Sequence, residues 1–311
     1  MIEPSSAKAP RILVIRGGAI GDFILTLPVL AALRERFPGA EIEVLGYPRI
    51  ASLAISGGLA KAVHALESPG LAMFFARSGA LDLEWRDFFG QFAIVISYLF
   101  DPDKIFETNV KSCGPRQFIA AQHRPDEAKP IHASDVFLKP LEQLTIFDGD
   151  PVARLELPGL AKRKNWLALH PGSGSESKNW PEKNWRELVA HLLDHSPLNL
   201  LVIGGEAEGN RLQRLANGMP PERLEIAQHI PLPELAPRLA KCAGYVGHDT
   251  GMTHLAAALG LPTLVLWGPS NETIWRPLGE KVRVLNQHSD LAALPLETVL
   301  KAINALKLEQ L

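Results

Sequence analysis

A strand-like run that ends in glycines, directly before a helical pattern, lies near the start of the chain in RILVIRGGAIGDFILTLPVLAAL, residues 11–33. The run ILVI is short, apolar and rich in β-branched residues, which is typical of a buried strand. Apolar residues then recur at helical spacing over Phe23–Phe37. The glycines therefore mark a strand-to-helix turn, which is where open α/β sheets bind their ligands.

Strand-like and helical segments alternate along the whole chain. A first series continues with EIEVLG, a helix around Ile50–Leu59 and the strand-like run Ala93–Phe100. The stretch Asp148–Lys164 is rich in charged and turn-forming residues and is predicted to be a linker. A second series runs from WLALHPG to PTLVLWG, and the helical segment LPLETVLKAINALKLEQL ends the chain. This alternation predicts parallel sheets in two α/β domains, residues 1–155 and 156–311, with the terminal helix packing across their boundary.

Charge and composition argue against several classes of protein. A net charge of −2 and an isoelectric point near 6.6 give no basic field for nucleic acid, so no nucleic-acid partner is expected. Cys113 and Cys242 are far apart and form no CxxC motif, which argues against disulfides and structural zinc. The segment MIEPSSAKAP lacks the apolar core of a signal peptide, and no run of about 20 apolar residues follows. We therefore expect a cytoplasmic protein.

The first turn disfavours one common ligand and leaves two roles for its carboxylate. A dinucleotide site needs a G-x-G-x-x-G pattern and an acidic residue at the end of the second strand. Here the turn carries Gly17, Gly18 and Gly21 in GGAIG, and the second strand ends in LGY, so a nicotinamide enzyme is not favoured. Asp22 could cap the helix that follows. It could equally take a proton from a hydroxyl nucleophile.

Two loops in the second half have the composition of anion sites. HPGSGSESKNWPEKNW leaves a strand through small residues that expose backbone N–H groups, and Lys178 follows just before a helix at Pro181, which suits a phosphate. In GHDTGMTHLAAALGLPTLVLWGPS, Asp249 or Thr250 is expected to cap a helix whose first turn contains Gly251. A helix N-terminus of this kind binds anions.

Single residues of these loops also have structural explanations. Lys178 taken alone would be a solvated surface lysine. His254 falls on the same side of its helix as Thr250 and Gly251, but it could be a core histidine with satisfied hydrogen bonds. The function therefore depends on the motifs in combination.

Three motifs together resemble glycosyltransferase family 9, the ADP-heptose:lipopolysaccharide heptosyltransferases and their relatives. They are RILVIRGGAIGD with TLPVLAALRERFP, then HPGSGSESKNWPEKNW, then GHDTGMTHLAAALGLPTLVLWGPS. The resemblance implies a GT-B fold, in which two Rossmann-like domains face each other across a cleft. It also implies an acceptor on the N-terminal side and a nucleotide-sugar on the C-terminal side.

The resemblance implies a role for each matched residue. The family's catalytic base falls on Asp22, next to the glycines of the first turn. The donor-binding roles fall on Lys178 and Ser173 for the phosphates, Asp249 for the sugar hydroxyls, Thr250, Gly251 and His254 for the diphosphate, Glu208 for the ribose and Ile230 for the adenine.

The implied activity is inverting transfer of a heptose from ADP-heptose to a Kdo or heptose acceptor in the lipopolysaccharide inner core, without a metal or cofactor. The partners would be the nucleotide-sugar, this glycan acceptor and, by peripheral contact, the inner face of the cytoplasmic membrane. Two alternatives stay open. One is a family 9 transferase with a different sugar or acceptor, and the other is a non-catalytic protein that binds a nucleotide-sugar.

Features of the first half of the chain bear on whether the protein binds a metal ion and on which acceptor it recognises. Asp101-Pro102-Asp103 resembles the DxD pair that holds a metal-bound nucleotide in the other large transferase fold, although Asp-Pro-Asp is also common turn chemistry. After the third strand the chain has SYLF, at 97–100, where many family members have an aspartate and a polar stretch. Acidic groups of an acceptor could meet scattered basic residues, although such residues usually form a solvated face; they are Arg49, Lys104, Lys111, Arg116 and Arg124.

Overall fold

The structure is a computed structural model that describes residues 9–77, 79–161, 163–287, 290–306 and 308. Three sequence predictions extend beyond these residues. Residues 1–8 of the N-terminal segment, Lys162 of the expected linker, and residues 307 and 309–311 of the expected terminal helix lie outside the described part of the chain.

Packing divides the chain into two compact units. The first unit contains the residues up to Gly18, Thr26–Asp126 and Ala133–Pro151. The second contains Ala19–Leu25, which includes helix α1 (Ile20–Ile24), together with Glu127–His132 and the residues from Val152 onward. Two short segments thus pack with the second unit although the sequence division at residue 155 assigns them to the first domain.

In the described part of the first unit, five parallel strands form a sheet in the order β3-β2-β1-β4-β5. The strands are β1 (Arg11–Arg16), β2 (Glu41–Gly46), β3 (Ala62–Ala65), β4 (Ile94–Ser97) and β5 (Gln117–Ala120). The helices are α2 (Leu27–Arg36), α3 (Pro48–Ser56), α4 (Leu83–Gly90), α5 (Ile105–Ser112) and α6 (Ala133–Leu138), with 3-10 turns at Pro69–Phe75 and Lys139–Leu144. Apolar side chains of β1, such as Leu13 and Ile15, share a buried core with Phe74, Phe89 and Phe106.

In the described part of the second unit, six parallel strands form a sheet in the order β11-β10-β9-β6-β7-β8. The strands are β6 (Arg163–His170), β7 (Asn199–Gly204), β8 (Leu224–Gln228), β9 (Cys242–His248), β10 (Thr263–Trp267) and β11 (Val282–Asn286). The helices that follow α1 here are α7 (Glu182–His195), α8 (Arg211–Ala216), α9 (Leu232–Lys241), α10 (Gly251–Ala258), α11 (Glu272–Trp275) and α12 (Leu296–Ala305), with 3-10 turns at Glu176–Lys178, Glu206–Glu208 and Leu291–Ala293.

The two parallel α/β sheets predicted from the alternation are confirmed, but two element boundaries differ. The single helix expected over Phe23–Phe37 is split into α1 and α2. Pro28 occupies the first turn of α2, where a residue without an N–H is tolerated, so it begins a new helix rather than continuing the first. The expected linker overlaps β6, because that strand already begins at Arg163, whose guanidinium lies 3.4 Å from the ring centroid of Trp166.

The terminal helix is an integral part of the second unit. Val299 and Ile303 of α12 are buried in the core that also contains Trp185 and Leu188 of α7. Its packing across a domain boundary stays a prediction. Among the helices of the described residues, none has the length and apolar character needed to cross a membrane.

A buried carboxylate joins three strands of the first sheet. Glu43 of β2 accepts hydrogen bonds from Arg11 Nε of β1 at 2.7 Å and pairs with His64 Nε2 of β3 at 2.6 Å, and its side chain is 4% exposed. Burial alone would raise the pKa of Glu43, but the hydrogen bonds from His64 and Arg11 outweigh it and lower that pKa to about 2. Because the pKa is depressed in the folded state, the stabilisation is present above pH 4.5 and is lost as the pH falls towards 2.

We predict that Glu43→Gln lowers the free energy of unfolding by about 2 kcal/mol at pH 7. The free energy of unfolding of this variant should also change less with pH in the acidic range than that of the wild type. Chemical unfolding at pH 7 and at pH 3 measures both effects. The exposed Glu35→Gln provides a matched control, since it removes a carboxylate from the surface of α2. Equal losses of stability in the two variants would contradict the prediction.

Candidate functional site

Neighbouring strands β6 and β9 bring the two anion-type loops together. These strands are paired in parallel, with His170 opposite Gly247 at their carboxyl ends. They also lie where the strand order reverses, since β7 and β8 extend the sheet on one side and β10 and β11 on the other. Such a reversal separates the loops that leave adjacent strands and opens a crevice for ligands. HPGSGSESKNW and GHDTG therefore start side by side.

Lys178 and Asp249 form the direct link between these loops. Lys178 Nζ donates to Asp249 Oδ2 at 2.7 Å. The Asp249 side chain is 10% exposed and that of Lys178 is 33% exposed, so the pair is reached by solvent mainly from the lysine. The pair supplies a cation and a carboxylate at one edge of the sheet.

Helix α10 begins at the end of the second loop. Thr250 is its N-cap residue, and Thr250 Oγ1 lies 3.3 Å from His170 Nδ1 at the end of β6. The first turn of α10 follows at once, with Gly251 as its first residue. The amide groups of a helix start carry a partial positive charge, so this position favours an anion.

The missing side chain of Gly251 allows α1 to pack against the start of α10. A Cβ atom on Gly251 would lie 2.6 Å from the Cβ of Ile20 and 2.8 Å from the amide nitrogen of Gly21. Real Cβ atoms do not approach other atoms so closely, so only glycine fits here. Gly21 faces His254 in the same interface, since a Cβ on Gly21 would lie 3.4 Å from His254 Cδ2.

This interface fixes the helix that carries Asp22. Asp22 lies in the first turn of α1, where its Oδ2 accepts the backbone N–H of Ala19 at 2.9 Å. Asp22 is therefore not the N-cap residue that the sequence suggested, because α1 begins at Ile20 and Ala19 is its N-cap. From the third helical position its carboxylate still stabilises the start of the helix. It also stands next to Gly21 in the segment that packs on α10. The role of Asp22 as a base stays a prediction.

His254 connects the groups of this cluster electrostatically. Its side chain is buried in α10, and burial lowers the pKa of His254 to about 4. The charges of Asp249 and Asp22 act in the opposite direction, while His132 and Lys178 lower that pKa further. His254 is therefore a neutral imidazole at pH 7, which has one N–H to offer as a donor and carries no charge.

Glu208, expected at the ribose, is buried beside Gly172 of the HPGSGSESKNW loop. Its Oε2 accepts the backbone N–H of Gly205 at 2.5 Å, and its Oε1 lies 3.6 Å from His170 Nε2. The side chain also fills the space beside Gly172, where a Cβ would overlap it. Ser173 is buried and its hydroxyl donates to the carbonyl of Ser175 at 2.7 Å. Their ligand contacts stay predictions.

Ile230, expected at the adenine, is half-buried after β8. It directly follows His229, whose backbone adopts a left-handed conformation with φ of 56°. This backbone turn begins the connection to α9.

The three turn glycines differ in what they do. Gly18 has φ of 97°, a conformation that L side chains rarely adopt, so it makes the sharp turn after β1. Gly17 packs tightly in the first unit, since a Cβ there would lie 3.3 Å from Leu66 Cδ2. Gly21 lies inside α1 rather than in the turn.

The metal alternative loses support at Asp101. Asp101 Oδ1 accepts the N–H of Ile105 and Oδ2 that of Glu107, both at 2.9 Å, so both oxygens serve the start of α5. Asp103 pairs with Arg77 at 3.0 Å on the surface. Among the residues that the structure describes, no three His, Cys, Asp or Glu side chains cluster so as to hold a metal ion.

Some of the basic residues considered for an acceptor have protein partners. Lys111 pairs with Glu107 one helical turn away at 2.5 Å. Arg49 lies 5.8 Å from the ring centroid of Tyr47. Lys104 precedes α5 in a left-handed backbone conformation. A role in acceptor binding stays a prediction for Arg49, Lys104, Lys111, Arg116 and Arg124.

Two histidines of the site were not predicted from the sequence. His170 and His248 are the last residues of β6 and β9, and both are buried. A polar residue that ends an apolar strand directly before a ligand-type loop is the signal that could have identified them. Each lies within one of the three motifs, ahead of the residues to which the resemblance assigns roles.

We predict that Gly251→Ala lowers the free energy of unfolding by about 1–3 kcal/mol, because the added methyl group forces α1 away from α10. Gly21→Ala should cost less, since its methyl group would meet His254 at ordinary contact distance. Chemical unfolding of both variants measures the difference. The exposed Gly39→Ala, which meets no atom within 4 Å, is the control. A Gly251→Ala variant as stable as Gly39→Ala would refute the close-approach argument.

Comparison with known proteins gives the family. The model of glycosyltransferase family 9 (heptosyltransferase) matches residues 132–300. A lipopolysaccharide heptosyltransferase 1 from Pseudomonas aeruginosa is 39% identical over 106 residues, which are 34% of this chain and 29% of that protein. The chain spans between 29% and 41% of the length of the first curated relatives it matches.

Solved structures match over nearly the full length. A glycosyl transferase family 9 structure from Veillonella parvula has a TM-score of 0.79 at 19% identity and covers 97% of this chain and 98% of its own. The E. coli heptosyltransferase WaaC with ADP has a TM-score of 0.75 at 20% identity and covers 95% of this chain and 99% of its own. This likeness confirms the predicted GT-B fold class. With the family model matching more than half of its residues, the chain belongs to glycosyltransferase family 9.

Proposed function

We propose that this chain is an inverting glycosyltransferase that transfers a heptose from ADP-heptose to a Kdo or heptose acceptor of the lipopolysaccharide inner core. One observation carries the proposal. The helix that bears Asp22 packs on the first turn of α10, next to the Lys178–Asp249 pair, through the contact of Gly21 with Gly251. A carboxylate base and an anion-binding helix start therefore belong to one unit of the structure.

In the proposed reaction Asp22 is the general base. The acceptor hydroxyl gives its proton to the Asp22 carboxylate as its oxygen attacks the anomeric carbon from the face opposite ADP. The bond to the diphosphate oxygen breaks in the same displacement, so the anomeric configuration is inverted. A single displacement needs one carboxylate base, which is consistent with Asp22 standing alone among the residues of its turn.

The leaving diphosphate gains negative charge as its bond to the sugar breaks. In the proposal, Lys178 and the first amide groups of α10 at Thr250 and Gly251 stabilise that charge. His254 contributes a neutral N–H, since burial keeps its pKa well below 7. Asp249, which positions Lys178 in the structure, would turn to the sugar hydroxyls when the diphosphate takes the lysine.

The donor is proposed on the basis of family membership and of these charges. A family described as heptosyltransferase and a structural neighbour solved with ADP both support an ADP-linked heptose. We propose that no metal ion takes part, because Lys178 and the helix start supply positive charge for the diphosphate and Asp101 is committed to α5. Glu208 and Ile230 would complete the nucleoside site at the ribose and adenine.

The acceptor is proposed on family grounds. The first unit carries the SYLF segment, in which Tyr98 is buried and its hydroxyl donates to the carbonyl of Phe137 at 2.5 Å. This tyrosine is therefore committed to the interior rather than to a ligand. A lipopolysaccharide acceptor would bring the protein to the inner face of the cytoplasmic membrane by peripheral contact. A different sugar or acceptor within the family is the alternative.

We predict that Asp22→Asn lowers kcat by about 10²–10⁴-fold and leaves the KM for ADP-heptose within a few-fold of wild type, because the amide cannot take a proton. The assay is release of ADP from ADP-heptose with a Kdo-bearing lipid A acceptor, in buffer with EDTA. Asp194→Asn, at an exposed position of α7, is the matched control.

The outcomes of this assay separate the parts of the proposal. Full activity of Asp22→Asn would remove Asp22 as the base. Activity that EDTA abolishes and Mg²⁺ restores would contradict the metal-independent mechanism. Binding of ADP-heptose without transfer would redirect the proposal to another acceptor or to a binding protein. The anomeric configuration of the product, measured by NMR, tests inversion.

We also predict that Lys178→Met lowers kcat by about 10²–10³-fold, the loss typical of one preorganised donor to a developing anion. Weaker binding of ADP should accompany this loss, which titration calorimetry measures. Lys183→Met, at an exposed position of α7, removes a neighbouring surface charge and serves as control. Equal losses of kcat and of ADP affinity in the two variants would show that Lys178 acts only through its long-range charge and not through contact with the diphosphate.

A further inference from the structure

We propose that His248 is a positioning residue, which fixes the loop 171–180 to the end of β9 and thereby holds Lys178 beside Asp249. The inference rests on the proposed function of this site as a donor-phosphate site. It concerns a residue that contributes no atom to the Lys178–Asp249 pair itself.

His248 is fully buried at the carboxyl end of β9. Trp180 donates its backbone N–H to His248 Nε2 at 2.8 Å, and His248 Nδ1 lies 3.3 Å from the carbonyl oxygen of Gly172. A backbone N–H can only donate, so Nε2 is the unprotonated nitrogen. Nδ1 therefore carries the proton and donates it to Gly172.

These two bonds hold the loop on either side of Lys178. Gly172 lies six residues before the lysine and Trp180 two residues after it. Trp180 is itself fixed, because its indole N–H donates to the carbonyl of Leu294 at 2.9 Å. Lys178 is thus carried by a loop that is tied to β9 at both ends.

The same side chain also fixes the partner of the lysine. Asp249 is the next residue after His248 and leaves the same strand end. The positions of both Lys178 and Asp249 therefore depend on the imidazole of His248. A change at His248 should alter the separation of Lys178 Nζ and Asp249 Oδ2, which is 2.7 Å in the structure.

A neutral histidine is the residue type that satisfies this arrangement. The loop presents one donor and one acceptor, and neutral imidazole offers one of each on opposite sides of a rigid ring. The ring of Trp185 packs edge-on against it at 5.4 Å, which limits its rotation. Burial lowers the pKa of His248 to about 3, so the neutral form is present at pH 7.

The test is ADP binding by titration calorimetry in three variants. His248→Leu removes both hydrogen bonds. His248→Gln keeps an acceptor that can reach Trp180, and His248→Asn keeps a donor near Gly172. We expect His248→Leu to raise the Kd for ADP about tenfold, which corresponds to the net free energy of about one hydrogen bond. His248→Gln should restore most of the lost affinity.

A double-mutant cycle with Lys178→Met distinguishes positioning from general damage. If His248 acts through the lysine, His248→Leu should raise the Kd by less than about twofold once Lys178 is absent. A structural defect would instead weaken binding by a similar factor in both backgrounds. His191→Leu, at an exposed position of α7, controls for loss of a histidine and should leave the Kd unchanged.

The remaining outcomes are also decisive. Unchanged ADP binding in folded His248→Leu would overturn the inference, as would equal factors in the two arms of the cycle. If His248→Leu does not fold, the cycle is run with His248→Asn, which retains a polar side chain of smaller reach. Failure of the wild type to bind ADP would overturn the proposed function and, with it, this inference.

Discussion

The parallel pairing of β6 with β9 is the constraint on which the site depends. These strands are distant in sequence, yet they lie next to each other where the strand order of the second sheet reverses. Their loops leave in register from His170 and Gly247. The Lys178–Asp249 pair, the start of α10 and the two buried histidines all follow from this one pairing.

At that edge of the sheet, two buried histidines act as neutral hydrogen-bond donors and acceptors and not as charged groups. His170 and His248 are neutral because burial lowers the pKa of each, and His248 offers its two ring nitrogens to one backbone donor and one acceptor. Buried polar groups are costly unless they are paired, so these bonds fix the loop geometry. The charged pair Lys178–Asp249 lies above them, where solvent reaches the lysine.

A second close approach brings Asp22 into the same unit. The segment Ala19–Leu25 follows β1 in the chain but packs on α10, because Gly251 leaves room for Ile20 and Gly21. The glycines of the first motif therefore act in two ways. Gly18 turns the chain after β1, whereas Gly21 lies inside α1, where its amide nitrogen packs against Gly251.

The sequence by itself determined the fold class and the family, because strand and helix periodicities are local and the three motifs keep a fixed order along the chain. It also identified Lys178, Asp249 and Asp22 as candidates from local residue type. Tertiary structure decided what local patterns do not contain. Glu208 is buried beside Gly172, and His248 binds a loop 68 residues away in sequence, since such contacts depend on which strands pair.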